Sequence, residues 1–162
     1  MTQHLRAAFL ALALCAAAVG AGAHDTRHGA IRVADAWVRP NPPGAPTAAG
    51  YATITNAGPA PDRLVSAASA EARSVELHQM SMAGAVMQMR PVAGGLPIGP
   101  GQTVSLAPGG YHLMLIGPAH TFRVGEVVPV TLVFQRAGAV RVGFQVENGP
   151  PAHGGMSGMD MH

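Results

Sequence analysis

Three features of the chain together predict an all-β fold. Past its first two dozen residues, glycine or proline punctuates the sequence about every eight to twelve residues, with 21 glycines and 14 prolines among 162 residues. The segments between these breaks are short and rich in Val, Ile, Leu, Thr and aromatics, the composition that suits a pleated, half-buried surface. No long stretch carries apolar residues at the 3.6-residue period of an amphipathic helix. Short strands at that spacing fit an antiparallel, Greek-key β-sandwich of immunoglobulin-like or cupredoxin-like form, with an up-and-down barrel as the runner-up.

The elements follow in order. Residues 1–23, "MTQHLRAAFLALALCAAAVGAGA", start with Arg6 ahead of an Ala/Leu run and end in small residues, the pattern of a secretory signal peptide cut after Ala23. The run is too short and too alanine-rich for a membrane span, so no stable membrane insertion is expected after cleavage. Cys15 lies deep in the apolar run behind Leu14, a poor position for lipidation. Residues 24–150 form the β domain, with strands expected at 31–39, 51–55, 63–67, 74–80, 86–92, 103–106, 111–116, 127–135 and 139–147. "RPNPPGAP" (39–46) and "GPAPD" (58–62) read as loops, because proline removes ladder donors and fixes φ. Residues 151–162, "PAHGGMSGMDMH", are a flexible His/Met-rich tail.

Composition narrows the chemistry. The single cysteine belongs to the leader, so the mature chain has no disulfide, no thiolate metal site and no cysteine nucleophile. All ten basic residues are arginine, against eight carboxylates, with no charge run or basic stripe. Nucleic acid is therefore a poor partner. Soft-metal chemistry in this chain has to use methionine and histidine.

Those two residue types concentrate in "VELHQMSMAGAVMQM" (75–89). Methionine usually fills gaps in a core, but strand alternation puts Val75 and Leu77 on one face and Glu76, His78 and Met80 on the other. The methionines thus share the polar face. A hairpin turning at Ala83-Gly84 would place His78 directly across from Met89, with Cβ atoms about 5 Å apart. In "PGGYHLMLIG" (108–117) the same alternation sets His112 and Met114 on the face opposite Tyr111, Leu113 and Leu115. The candidate primary site is therefore His78, Met89, His112 and Met114. Thioethers suit Cu(I), and a nitrogen–sulfur set without thiolate or carboxylate points away from Zn, Mg and Ca.

The segments "DAWVRPNPPGAPTAAGYATITNAG", "VELHQMSMAGAVMQMRPV" and "LAPGGYHLMLIG" resemble the periplasmic copper chaperone family called PCuAC over residues 31–147. His78, ten residues, Met89, twenty-two residues, His112, one residue, Met114 is similar to that family's composite copper motif. The resemblance implies a cupredoxin-like sandwich holding Cu(I) through those four side chains. It also implies periplasmic delivery of copper toward the CuA centre of cytochrome c oxidase subunit II, alongside Sco-type proteins, by a monomer that is not an enzyme.

In the tail, His153, Met156, Met159, Met161 and His162 form a candidate second copper site, and its imidazoles with Asp160 suit Cu(II) as well. A chain starting at His24 would add an amine–imidazole chelate, with His28 nearby. His120 reads as an ordinary loop histidine, and Trp37 and Tyr51 as core or sheet-face aromatics. A blue-copper carrier needs a cysteine ligand that the mature chain lacks, and no acid/base or nucleophile constellation suggests an enzyme. A copper-sequestering resistance protein is the alternative, since it could use the same ligands.

Overall fold

The structure, a computed structural model, describes residues 25–151. The leader, His24 and the tail ligands His153, Met156, Met159, Met161 and His162 lie outside the described residues. Eleven strands follow in chain order: β1 (Thr26–His28), β2 (Ile31–Val38), β3 (Thr47–Asn56), β4 (Asp62–Ala68), β5 (Ala72–Ala83), β6 (Val86–Pro91), β7 (Leu96–Ile98), β8 (Thr103–Leu106), β9 (Tyr111–Pro118), β10 (Val127–Phe134) and β11 (Gly138–Val146). All nine expected strands form. The two additional ones have weak sequence signals. β1 is three largely exposed residues, and β7 contains Pro97, which an edge position tolerates because it needs no N–H there.

The strands hydrogen-bond in the order β6-β5-β9-β8-β3-β2-β11-β10-β4-β7, and a further β4–β5 pairing at Ala67 and Val75 brings the ladder back on itself. The all-β class is as expected. The ladder among the described residues, however, runs without a break around a barrel-like ring and does not divide into two separate sheets. Alternation alone cannot distinguish these arrangements, because both bury one face of every strand.

The core lies inside the ring. Val128, Val130, Leu132 and Phe134 of β10 meet Val140, Val142, Phe144 and Val146 of β11, every second residue in each strand, with Ile31, Ile54, Leu64, Leu113 and Leu115 completing the packing.

β2 changes phase midway, and this matters for the outer face. Ile31 and Val33 point into the core, but so do Ala36 and Val38. The register against β3 slips between Ala34 and Trp37, and Asp35 there has φ 52°. This is a β-bulge, with an aspartate in the left-handed conformation that short polar residues tolerate best. Without the extra residue Trp37 would be in phase with Ile31 and Val33 and point inward. With it, Trp37 turns outward and stacks on Tyr51, its cross-strand partner, with ring centroids 4.6 Å apart. Both rings are buried, although neither belongs to the main core.

Buried polar side chains pin the loops. Asn41 accepts from the Phe122 N–H at 2.8 Å and so ties the proline-rich loop to the segment before β10. The Asp62 carboxylate accepts from the backbone N–H groups of Arg63 (2.7 Å), Arg136 (2.8 Å) and Ala137 (3.0 Å), joining the start of β4 to the β10–β11 turn. Burial opposes its charge, but these N–H donors and the Arg136 guanidinium outweigh burial and hold the carboxyl below its ordinary value of 3.8. The contribution is therefore complete above pH 3.8 and is lost as pH falls through the lower folded value. Asp62→Asn should destabilise the protein by about 2 kcal/mol at pH 7, with the deficit shrinking as pH falls below about 3.8 and through the lower folded value, where the wild-type carboxyl also becomes neutral. Urea unfolding of both proteins at pH 7 and pH 3 checks this; an equal deficit at both values would mean that charge is not the source.

Candidate metal centre

The two histidines come together across β5 and β9, strands far apart in sequence. Their antiparallel register sets Glu76 opposite Met114, Leu77 opposite Leu113, and His78 opposite His112. The leucine pair turns toward the core and the other two pairs lie on the outer face. On that face the imidazoles are nonetheless buried, His78 at 9% exposure and His112 at 3%, with ring centroids 5.8 Å apart. Tyr51 of β3 continues the row 6.5 Å from His112, and Trp37 lies behind it. Burial pushes the Tyr51 phenol above its ordinary value, with the Arg39 charge pulling partly back.

Each ring has one nitrogen engaged. His78 Nε2 is 2.8 Å from the Glu76 carboxylate, which is half exposed and well placed to accept its proton. His78 Nδ1 is buried with no hydrogen-bond partner. In His112 it is Nδ1 that faces a carbonyl oxygen, that of Gly110 at 3.3 Å, so its Nε2 keeps the lone pair. Burial pushes His112 below the ordinary histidine value; the Gly110 contact offsets part of this, and His78 adds a smaller downward push. A neutral imidazole in a set tautomer, oriented by a carboxylate or carbonyl, is the usual form of a histidine ligand. An orphaned buried ring nitrogen otherwise costs about 1–3 kcal/mol, and a bound soft ion removes that cost.

The hairpin differs from expectation in one respect. Ala83 pairs with Val86, so the two-residue turn is Gly84-Ala85, one position later than expected. His78 therefore faces Pro91 on β6, while Met89 faces Met80 and lies diagonal to His78. Glycine chemistry explains the shift. A turn at Ala83-Gly84 with glycine second would need positive φ at both residues, which alanine resists, whereas a turn with glycine first needs it only there, and Gly84 has φ 65°. Moving the turn by one residue moves the partner by two, so every side chain keeps its face. His78, Met89, His112 and Met114 all remain on the outer face of β6-β5-β9, with Met89 reaching His78 across the diagonal distance of about 7–8 Å between backbones.

Two features were not legible beforehand. Alternation sets Glu76 on the histidine face but does not mark it as the partner of His78, and the direct opposition of His78 and His112 has no signal in either segment alone. Among the described residues no three His, Cys, Asp or Glu side chains gather where they could hold a metal. The other side chains that share the face of the two imidazoles include the thioethers of Met80, Met89 and Met114, donors that suit a soft ion. His120 is a loop residue as expected, between the carboxylates of Glu71 at 3.5 Å and Glu126 at 3.3 Å.

These contacts predict opposite tautomers in the metal-free protein, with His78 carrying its proton on Nε2 and His112 on Nδ1. Long-range proton–nitrogen NMR correlations should show the two patterns, and Glu76→Ala should mix the tautomers of His78 while leaving His112 unchanged. A single shared tautomer would contradict this orientation of the site.

Comparison with known proteins places the chain. A family model described as LpqE-like lipoprotein matches residues 31–146. A lipoprotein of Leifsonia xyli subsp. xyli is 33% identical over 104 residues, which cover 64% of this chain and 61% of that protein, less than two thirds of its length. Among solved structures, the copper-bound PCuAC domain from PmoF2 superposes with TM-score 0.65 and 31% identity, covering 76% of this chain and 97% of that one. DR1885 from Deinococcus radiodurans superposes in its apo form with TM-score 0.57 and 29% identity, covering 91% and 99%. Its Cu(I) form gives TM-score 0.55 and 33% identity, covering 80% and 83%. The chain thus belongs to the LpqE-like family and shares the fold of PCuAC domains.

Proposed function

We propose that this protein is a copper chaperone of the cell envelope, which holds Cu(I) through His78, Met89, His112 and Met114 and gives it up to a softer acceptor. The observation that carries this reading is the pair of buried imidazoles, each with one ring nitrogen left to a face that also bears thioethers and no thiolate. The copper-bound PCuAC domain and Cu(I)-DR1885 support the choice of metal. The lipoprotein names of the family and of its relative support export to the envelope, and the signal-like leader suits the periplasm in particular. No helix among the described residues is long and apolar enough to cross a membrane.

The chain's own residues divide the work. Glu76 and the Gly110 carbonyl orient the two imidazoles, so their lone pairs need no reorganisation when the cargo arrives. Met89, at 45% exposure, and Met114, partly buried, supply sulfur from the open side. A thioether takes up no proton when its ion leaves. An acceptor with thiolates, such as the CuA site of cytochrome c oxidase subunit II, is softer and more anionic, so transfer runs toward it. Work alongside Sco-type proteins follows from the family resemblance. The tail, with His153, Met156, Met159, Met161 and His162, adds a second capture site that also accepts Cu(II).

Titration with Cu(I) against a competing chelator should show one tight equivalent that survives removal of 151–162. His112→Ala with Met114→Ala should cost more than the roughly 10–100-fold that loss of a supporting contact costs at metal sites. Total capacity, for Cu(II) above all, should fall when the tail is removed. Loaded protein mixed with a reduced apo-CuA domain should lose its copper to it, and His78→Ala should impair loading with the β fold retained. Copper that stays in place beside a competent acceptor would make sequestration the better account.

A further inference from the structure

Seven large hydrophobic side chains are exposed among the described residues, and four of them, Met82 (62%), Val86 (62%), Met87 (57%) and Met89 (45%), belong to the β5–β6 hairpin. β6 ends the ladder order, so this is an edge. An apolar edge strand is a liability that proteins ordinarily blunt with charge or proline, and Met82 and Met87 are too exposed to serve as core filler. Their positions form a series. Met82 is directly opposite Met87, and Met80 directly opposite Met89. Both pairs lie on the face of His78, because 78, 80 and 82 alternate onto one side and cross-strand partners share it. Three levels therefore run along β5 from the hairpin tip inward, each about 7 Å from the next: an exposed thioether pair shared with β6, a second such pair in which Met80 is partly buried, and then His78, opposed across the other edge of β5 by His112, where exposure falls to 9% and 3%.

We propose that Met82 and Met87 form a distinct, weaker Cu(I) site at the hairpin tip, through which the ion enters and leaves the histidine site by way of Met80 and Met89. This rests on the copper reading above and adds the route. The burial gradient is the main argument. An approaching donor or acceptor meets sulfur first and cannot reach the buried imidazole of His112 directly. Two opposed thioethers about 5 Å apart at Cβ can share one soft ion, and the long, flexible methionine side chain spans the interval between levels. Every step is a ligand exchange at unchanged Cu(I), one neutral sulfur or imidazole nitrogen replacing another, with no proton or electron moved. Without an imidazole the tip holds the ion less tightly than the inner site, as a way-point requires.

The test is Met82→Leu combined with Met87→Leu in the full-length chain, which keeps an apolar side chain of similar size at both positions. Apo protein is mixed by stopped flow with a Cu(I)–bicinchoninate complex, and loaded protein with excess chelator. The double variant should keep its equilibrium affinity within about twofold while uptake and release both slow by about tenfold, equivalent to about 1.4 kcal/mol of barrier. In methyl-labelled wild-type protein titrated with Ag(I), the Met82 and Met87 methyl resonances should move only after the inner-site methionines. Unchanged rates in the variant, or still tip methyls, would overturn the entry site and leave the chaperone reading intact. A loss of affinity along with rate would make Met82 or Met87 an inner-site ligand and overturn the division into two sites. A wild-type chain that takes up no Cu(I) at all would instead sink the underlying copper reading.

Discussion

The pairing of β5 with β9 holds the molecule and its site together at once. On the inner face it sets Leu77 against Leu113 within the core, and on the outer face it sets His78 against His112. A shift by one residue would exchange the two faces, placing imidazoles in the hydrocarbon interior and leucines on the outside. The free energy of burying the leucines thus locks the register that aligns the histidines. Core packing is the force that positions the two imidazoles.

Burial of two histidines on a face turned away from the core needs its own shelter. Part of it comes from the bulge at Asp35, which rotates Trp37 out of the core phase and onto Tyr51, beside His112. The result is a second, smaller apolar cluster on the outside of the ring. It adds to the burial that favours the neutral form of His112, the form in which an imidazole keeps a lone pair. The carboxylate of Glu76 remains half in solvent, where its charge costs little, while its other role is to hold His78 in one tautomer.

The site combines two demands that oppose one another. Strong retention favours oriented, dehydrated donors, and transfer favours donors that a partner can reach. Here the two are separated along β5, with the imidazoles of His78 and its β9 partner His112 buried at one end and thioethers progressively exposed toward the hairpin tip. Such a gradient suits a cargo ion better than a resident cofactor, for which an enclosed set of ligands would serve.

The sequence by itself determined the all-β class, all nine strands that its punctuation marks, and the face on which Glu76, His78, Met80, His112 and Met114 stand. These are local properties: alternation with period two and turn residues act within a few positions along the chain. The true turn at Gly84-Ala85 was also latent there, in the requirement that positive φ fall on glycine alone. Only the tertiary structure decided that β5 would neighbour β9, that His78 would face His112, and that Asp62 would join β4 to the distant β10–β11 turn. Each of these joins segments far apart in the chain, and which strand edges meet is settled by the closing of the whole ring around its core, a collective condition that no single segment carries.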